Sequence, residues 1–223
     1  YRLFASPLYE VSLPNKDKIQ KEIDKIYPNI EFIEYGKRRS DAHGNKLHGD
    51  YGITESWKIS HPNPEIPTPE HGFSNGFYFD QDILEKLPLL SEAIHAHAVR
   101  FLDFYDYFAN NPGERRYFST SKWPGRQRRS WMTSMDYGSF ARTHDHGGSD
   151  ISGCYYYKTS ENDASIFFES PFNRQQNWCT ENEEVIITPT EGSLIMFPSY
   201  LPHGVTMNQV AYRRHSISFN LDL

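Results

Sequence analysis

From about residue 130 onward the sequence is a succession of short apolar runs: "RSWMTSMDY", "SGCYYYK", "ASIFFES", "EVIIT", "SLIMF", "HGVTM" and "RRHSISFNL". Glycine, proline, asparagine or charged residues part each run from the next. Short stretches rich in β-branched and aromatic residues, bounded by turn formers, make strands. The first half of the chain reads differently. Residues 16–26 place Ile19, Ile23 and Ile26 on one helical face, with Pro28 following as a stop. Residues 87–108 read as the clearest helix, with Pro88 in its first turn and a stripe of Leu90, Ile94, Phe101, Tyr105 and Phe108. His95 and His97 on that helix are read as surface or packing residues. Brief strands are predicted within residues 7–14 and 31–35, and an extended loop or partner-binding segment up to residue 76. Many short strands after a partly helical first half point to a mainly β barrel or sandwich with flanking helices.

Size and charge narrow the classes further. A chain of 223 residues buries roughly 70% of its extended surface, enough for one sizeable core, so residues 1–223 are expected to be one domain. Residues 1–129 would support a principal segment at 130–223. A net charge of -6 argues against general nucleic-acid binding, which needs clustered cations, but leaves a local basic groove open. Such a segment exists at residues 115–131, where Arg115, Arg116, Lys122, Arg126, Arg128 and Arg129 occur without one acidic residue. It reads as a solvated loop, as a means of steering an anionic small-molecule substrate, or as a nucleic-acid contact with Trp123 as a stacking platform. A peptide substrate also stays open. No apolar run approaches the roughly 18 residues that span a bilayer, and the start "YRLFASPLYEVSLPNK" has no signal-peptide pattern. Cys154 and Cys179 are too few for a disulfide scaffold, so a reduced, cytoplasmic protein is expected. A homodimer is compatible with such a chain.

The chemistry concentrates in histidines. In "ARTHDHGGSD", residues 141–150, His144 and His146 stand two apart, so on a strand both project to one face while Asp145 points away. That spacing suits a shared metal ion better than a His–Asp acid–base pair. Surface or hydrogen-bonded structural histidines are the plainer reading. Further on, "GSLIMFPSYLPHGV" carries His203 just beyond an apolar strand, where two prolines can fix its approach as a third ligand or as a loop cap. The final run, "YRRHSISFNLDL", alternates Arg214, Ser216, Ser218 and Asn220 against His215, Ile217, Phe219 and Leu221. A polar stripe inside a terminal strand needs a reason. Arg214 offers a planar fork for a carboxylate, and Ser216 adds a hydroxyl donor for the same group. Trp131 and Met135, alternating in the first of the β-like runs, read as core.

Taken in order, "HDH", "SGCYYY", "FFESPF", "FPSYLPHGV" and "RRHSISFN" resemble the 2-oxoglutarate/iron(II)-dependent oxygenases built on a double-stranded β-helix, the jelly-roll or cupin-like fold. The resemblance covers about residues 130–221. It implies His144 and His203 as iron ligands, Arg214 and Ser216 on the distal carboxylate of 2-oxoglutarate, and dioxygen as the oxidant of an unidentified substrate, usually by hydroxylation. Ser152, Tyr155 or Tyr157 would line the barrel and donate to 2-oxoglutarate, or the tyrosines serve as packing of the sheet. Position 146 departs from the broader pattern, which has a carboxylate two residues after the first histidine. His146 is the first choice for the third ligand, with Asp145 and Glu169 as alternatives. Three neutral imidazoles would leave the metal centre one unit more positive. Two other functions stay in view: a three-histidine cupin-type dioxygenase that does not use 2-oxoglutarate, and a catalytically silent binding module.

Overall fold

The structure is a computed structural model that describes residues 6–30, 32–34, 52–54, 83–118, 127–135, 137, 139–171 and 184–223. Among these residues, strands form two antiparallel sheets. The larger runs in the spatial order β1 (Tyr9–Ser12), β9 (Ser193–Pro198), β6 (Ile151–Lys158), β11 (Arg214–Leu221), β4 (Gln127–Met135), β3 (Gly52–Thr54) and β2 (Phe32–Glu34). The smaller runs β5 (Ala141–His144), β10 (His203–Val205), β7 (Ile166–Glu169) and β8 (Glu184–Ile187). Both sheets draw on strands from across the second half, so strands distant in sequence become neighbours. The predicted mainly β architecture with flanking helices is what forms.

Two apolar clusters flank the large sheet, and side-chain alternation decides which residue joins which. On the outer face, Tyr155, Tyr157, Leu194, Met196, Ile217, Phe219 and Leu221 pack with Ile19 and Ile23 of α1 (Lys16–Ile26) and with Leu90, Ile94 and Phe101 of α2 (Pro88–Phe104). On the inner face, Cys154, Tyr156, Ile195 and Phe197 meet Ile166 and Phe168 of the small sheet, together with Leu201. Burying one Phe or Ile side chain is worth about 1.5–3 kcal/mol, so the outer cluster supplies much of the stability. Gly153 is needed for it. A Cβ there would lie 2.3 Å from Phe219 Cζ and 2.6 Å from the Ile195 carbonyl oxygen, so the absent side chain lets Phe219 cross β6.

Helix α1 occupies the predicted residues, whereas the second helix stops short of residue 108. Asp106 adopts a left-handed conformation at φ 57°, which ends α2 at Phe104 before a single further turn, α3 (Tyr107–Asn110). Aspartate tolerates that conformation better than most residues. Tyr105 is consequently exposed and leaves the buried stripe. His95 and His97 are buried packing residues, and the Nδ1 of His97 lies 2.7 Å from the Tyr9 hydroxyl. Burial, and then the charge of Arg100, lowers the pKa of His97. Strand β3 falls in the stretch read as loop, most of which lies outside the described residues, as do Cys179 and residues 119–126 of the basic segment. Of that segment's cations, Arg115 pairs with Asp103 and Arg116 lies over the Tyr117 ring.

Candidate functional site

The small sheet brings the histidines together. His203 opens β10 and stands directly across from His144, the last residue of β5. His146 lies two residues beyond that strand, where its backbone N–H donates to the Ser199 carbonyl at 2.9 Å. The three rings have centroids 4.5, 4.9 and 5.1 Å apart, and each offers a nitrogen within 4.8 Å of the others. Convergence of the HxH pair therefore survives although only its first member is in a strand. Asp145 is exposed, and its Oδ1 accepts the Gly147 N–H at 2.9 Å. Glu169 accepts the Thr143 hydroxyl at 2.5 Å instead of joining the cluster. Of the three candidates for the third position, the fold gathers His146.

Burial and hydrogen bonding prepare these imidazoles. His203 is buried, with Phe197 and Phe168 rings 4.6 and 6.1 Å from its own, whereas His144 and His146 are half-buried. Burial holds the pKa of His203 well below the usual histidine range, and His144 and His146 add to this, so the ring stays neutral. Neutral imidazole is the ligating form. The Nδ1–H of His203 donates to the Leu201 carbonyl at 2.9 Å, which leaves the Nε2 lone pair for the cluster. On His146, Nδ1 lies 2.8 Å from Asn220 Oδ1 and 3.0 Å from Ser152 Oγ.

A polar strip leads away from this cluster along the inner face of β11. Asn220 is at the histidine end, followed by Ser218, Ser216 and Arg214. Ser216 exchanges a hydrogen bond with Thr133 Oγ1 at 2.7 Å, and the Arg214 Nη1 reaches back toward Ser216 Oγ at 3.4 Å. Arg214 is 1% exposed, its Nε has no hydrogen-bond partner, and no carboxylate among the described residues pairs with it. An unpaired buried ion costs several kcal/mol, so the arrangement suits an anion that arrives from outside. Asp163 senses the charge of Arg214 without pairing with it; burial raises its pKa, and its Oδ2 accepts the Ser160 N–H.

Three sequence assignments change. Tyr155 faces the helices, where burial, then Glu191 and Asp17, raise its pKa; alternation excludes it from the strip. Tyr156 is the tyrosine brought to Arg214, whose guanidinium carbon is 5.0 Å from its ring. Its buried hydroxyl lies near Cys154 and Arg214 without reaching hydrogen-bond geometry with either. Burial is the main cause of its strongly raised pKa. Ser152 is on the inner face but at the opposite end from Arg214, bonded to Asn220 and Ser199. Trp131 also faces inward, its ring 5.8 Å from that of His146, so it walls the site and does not belong to the helix-side core.

Residues 129–220 match the family described as "Putative 2OG-Fe(II) oxygenase". This segment is similar to that oxygenase family. Solved structures with the double-stranded β-helix fold resemble the chain in fold. The prolyl hydroxylase of Trichoplax adhaerens, solved with a hypoxia inducible factor peptide fragment, superposes with a TM-score of 0.53 at 14% identity, over 96% of this chain and 83% of that one. The non-heme alpha ketoglutarate dependent epimerase SnoN gives 0.54 at 11% identity, over 97% and 77%. HygX of Streptomyces hygroscopicus, with nickel, 2-oxoglutarate and hygromycin B bound, gives 0.52 at 10% identity, over 97% and 83%. At such identities the likeness concerns the fold of the oxygenase domain. A comparison with curated proteins finds no match. Among the described residues, no helix is long and apolar enough to cross a membrane.

Proposed function

We propose that this chain is an Fe(II)- and 2-oxoglutarate-dependent oxygenase that hydroxylates its substrate, with His144, His146 and His203 as metal ligands and Arg214 as the anchor of the cosubstrate. The observation that carries the reading is the pairing, on one interior, of a three-histidine cluster with a buried arginine that lacks a counter-ion among the described residues. Imidazole nitrogens suit Fe(II), and an unpaired guanidinium suits a carboxylate. With iron and 2-oxoglutarate bound, the site would couple loss of carbon dioxide from the keto acid to insertion of one dioxygen atom into a substrate C–H bond, leaving succinate.

The chain's own groups have separable roles. The histidines hold the metal through neutral rings, and the aromatic wall of Phe168 and Phe197 keeps water from His203. Arg214 and Ser216 bind the distal carboxylate, and the Tyr156 hydroxyl supplies one more donor there. The half-buried side at His144 and His146 admits the substrate, with Trp131 as a wall. A cupin-type dioxygenase without 2-oxoglutarate needs the histidines but leaves Arg214 without a function. The direct test is an anaerobic titration of metal-free protein with Fe(II) and then 2-oxoglutarate. A visible charge-transfer band saturating at about one equivalent, and absent from His203→Ala, is expected. Iron binding without the band points to the other metal dioxygenase, and failure of the folded protein to bind iron points to a silent binding module.

A further inference from the structure

A histidine can hold a metal through Nε2 only if its proton sits on Nδ1, so whatever accepts a hydrogen bond at Nδ1 selects the competent tautomer. For His203 that acceptor is a backbone carbonyl, fixed by the fold. For His146 it is a side chain. Asn220 Oδ1 lies 2.8 Å from His146 Nδ1 and also 2.8 Å from Ser152 Oγ, and Ser152 Oγ lies 2.8 Å from Ser199 Oγ. With the Asn220 amide oxygen facing His146 and Ser152, protons can be assigned across this network in one direction only. Ser199 donates to Ser152, Ser152 donates to Asn220 Oδ1, and His146 donates its Nδ1–H to the same oxygen, with Ser152 Oγ at 3.0 Å as a shared contact. Asn220 and Ser152 are 5% and 0% exposed, so water does not compete for these bonds. Were the amide turned to present its NH2, His146 Nδ1 would have to accept, and the ring proton would occupy Nε2.

We infer that Asn220 is a positioning residue that sets the tautomer and orientation of His146, so that a side-chain amide anchored on β11 makes the third histidine competent to bind metal. The inference rests on the metal-site reading above and adds a residue that the ligand set alone does not contain. It also explains the end of the polar strip opposite Arg214, since one strand then serves the cosubstrate at one end and the metal at the other. Asn220 carries no charge, so it orients His146 without restoring the negative unit that a carboxylate ligand would bring.

The test uses the full chain with three substitutions: Asn220→Leu, which keeps the volume and removes the acceptor; Asn220→Asp, which keeps an acceptor and cannot donate when ionised; and Ser152→Ala. Histidine-labelled metal-free protein, followed by 15N NMR, should show His146 protonated on Nδ1 in the wild type and in Asn220→Asp, and no longer fixed in that form in Asn220→Leu. Titration with Co(II) should be about tenfold to a hundredfold weaker in Asn220→Leu, rescued by Asn220→Asp, and affected less by Ser152→Ala. An unchanged His146 tautomer in Asn220→Leu, or a failure of Asn220→Asp to rescue binding, overturns the inference. If Asn220→Leu does not fold, the Asn220→Asp spectrum decides, since its loss of the Nδ1–H form is equally fatal. Failure of the oxygenase reading has a different signature: wild-type protein would bind Co(II) with the expected tautomer yet give no Fe(II)/2-oxoglutarate band.

Discussion

The two faces of β11 are buried to similar depth and are built from opposite chemistry. Outward, Ile217, Phe219 and Leu221 are fully buried against helices α1 and α2. Inward, Arg214, Ser216 and Asn220 are 1%, 2% and 5% exposed, yet they carry a guanidinium, a hydroxyl and an amide. The outer face holds the fold together by apolar area, whereas the inner face gives up such area and retains a charge without a counter-ion among the described residues. A strand that tolerates this on one side is stabilised from the other. Stability and ligand chemistry are thus kept apart by alternation along a single strand.

Substitutions on the two faces should therefore part company. Phe219→Ala removes a ring packed over Gly153 and should cost about 3–5 kcal/mol in equilibrium denaturation. Arg214→Met, equally deep, should leave the metal-free protein as stable as before or more so, because an unpaired buried charge is replaced by apolar volume. Equal destabilisation by the two would contradict this division of labour. A smaller contrast lies on β6, where neighbouring tyrosines face opposite ways. Tyr156→Phe should weaken 2-oxoglutarate binding about tenfold or more, the worth of one hydrogen bond to a charged carboxylate, while Tyr155→Phe should leave it unchanged. Calorimetric titration of the Fe(II)-loaded proteins measures both, and a loss in Tyr155→Phe instead would reverse the assigned faces.

Much of this arrangement is legible in the sequence. Alternation in "RRHSISFNL" separates the two faces of β11, and the spacing of His144 and His146 brings their rings together even though the strand ends between them. The triple tyrosine of β6 is harder. Periodicity separates Tyr156 from Tyr155 and Tyr157, but all three residues are apolar enough for either core, and only the pairing of β6 with β11 and β9 decides which face is inward. Asn220 is equally silent in sequence: the alternation places it on the face of Arg214, but its partner His146 is 74 residues away and reaches it through strand pairing. The break after α2 depends on one left-handed residue, Asp106, inside an otherwise helical pattern. Met135 is buried as expected, whereas Trp131 looks like core because it is aromatic and alternates with Met135, yet its ring lies against that of His146.

The proposed function depends above all on one interior holding a dicarboxylate between the histidine cluster and Arg214. The decisive measurement is the anaerobic affinity of Fe(II)-loaded protein for 2-oxoglutarate and for pyruvate, which shares the keto-acid end but lacks the distal carboxylate, in the wild type and in Arg214→Met. The wild type should prefer 2-oxoglutarate by at least ~30-fold, the scale of one buried charge-assisted pair, and Arg214→Met should lose most of that preference while still binding iron. A preference that persists undiminished in Arg214→Met would show that the distal carboxylate is held elsewhere.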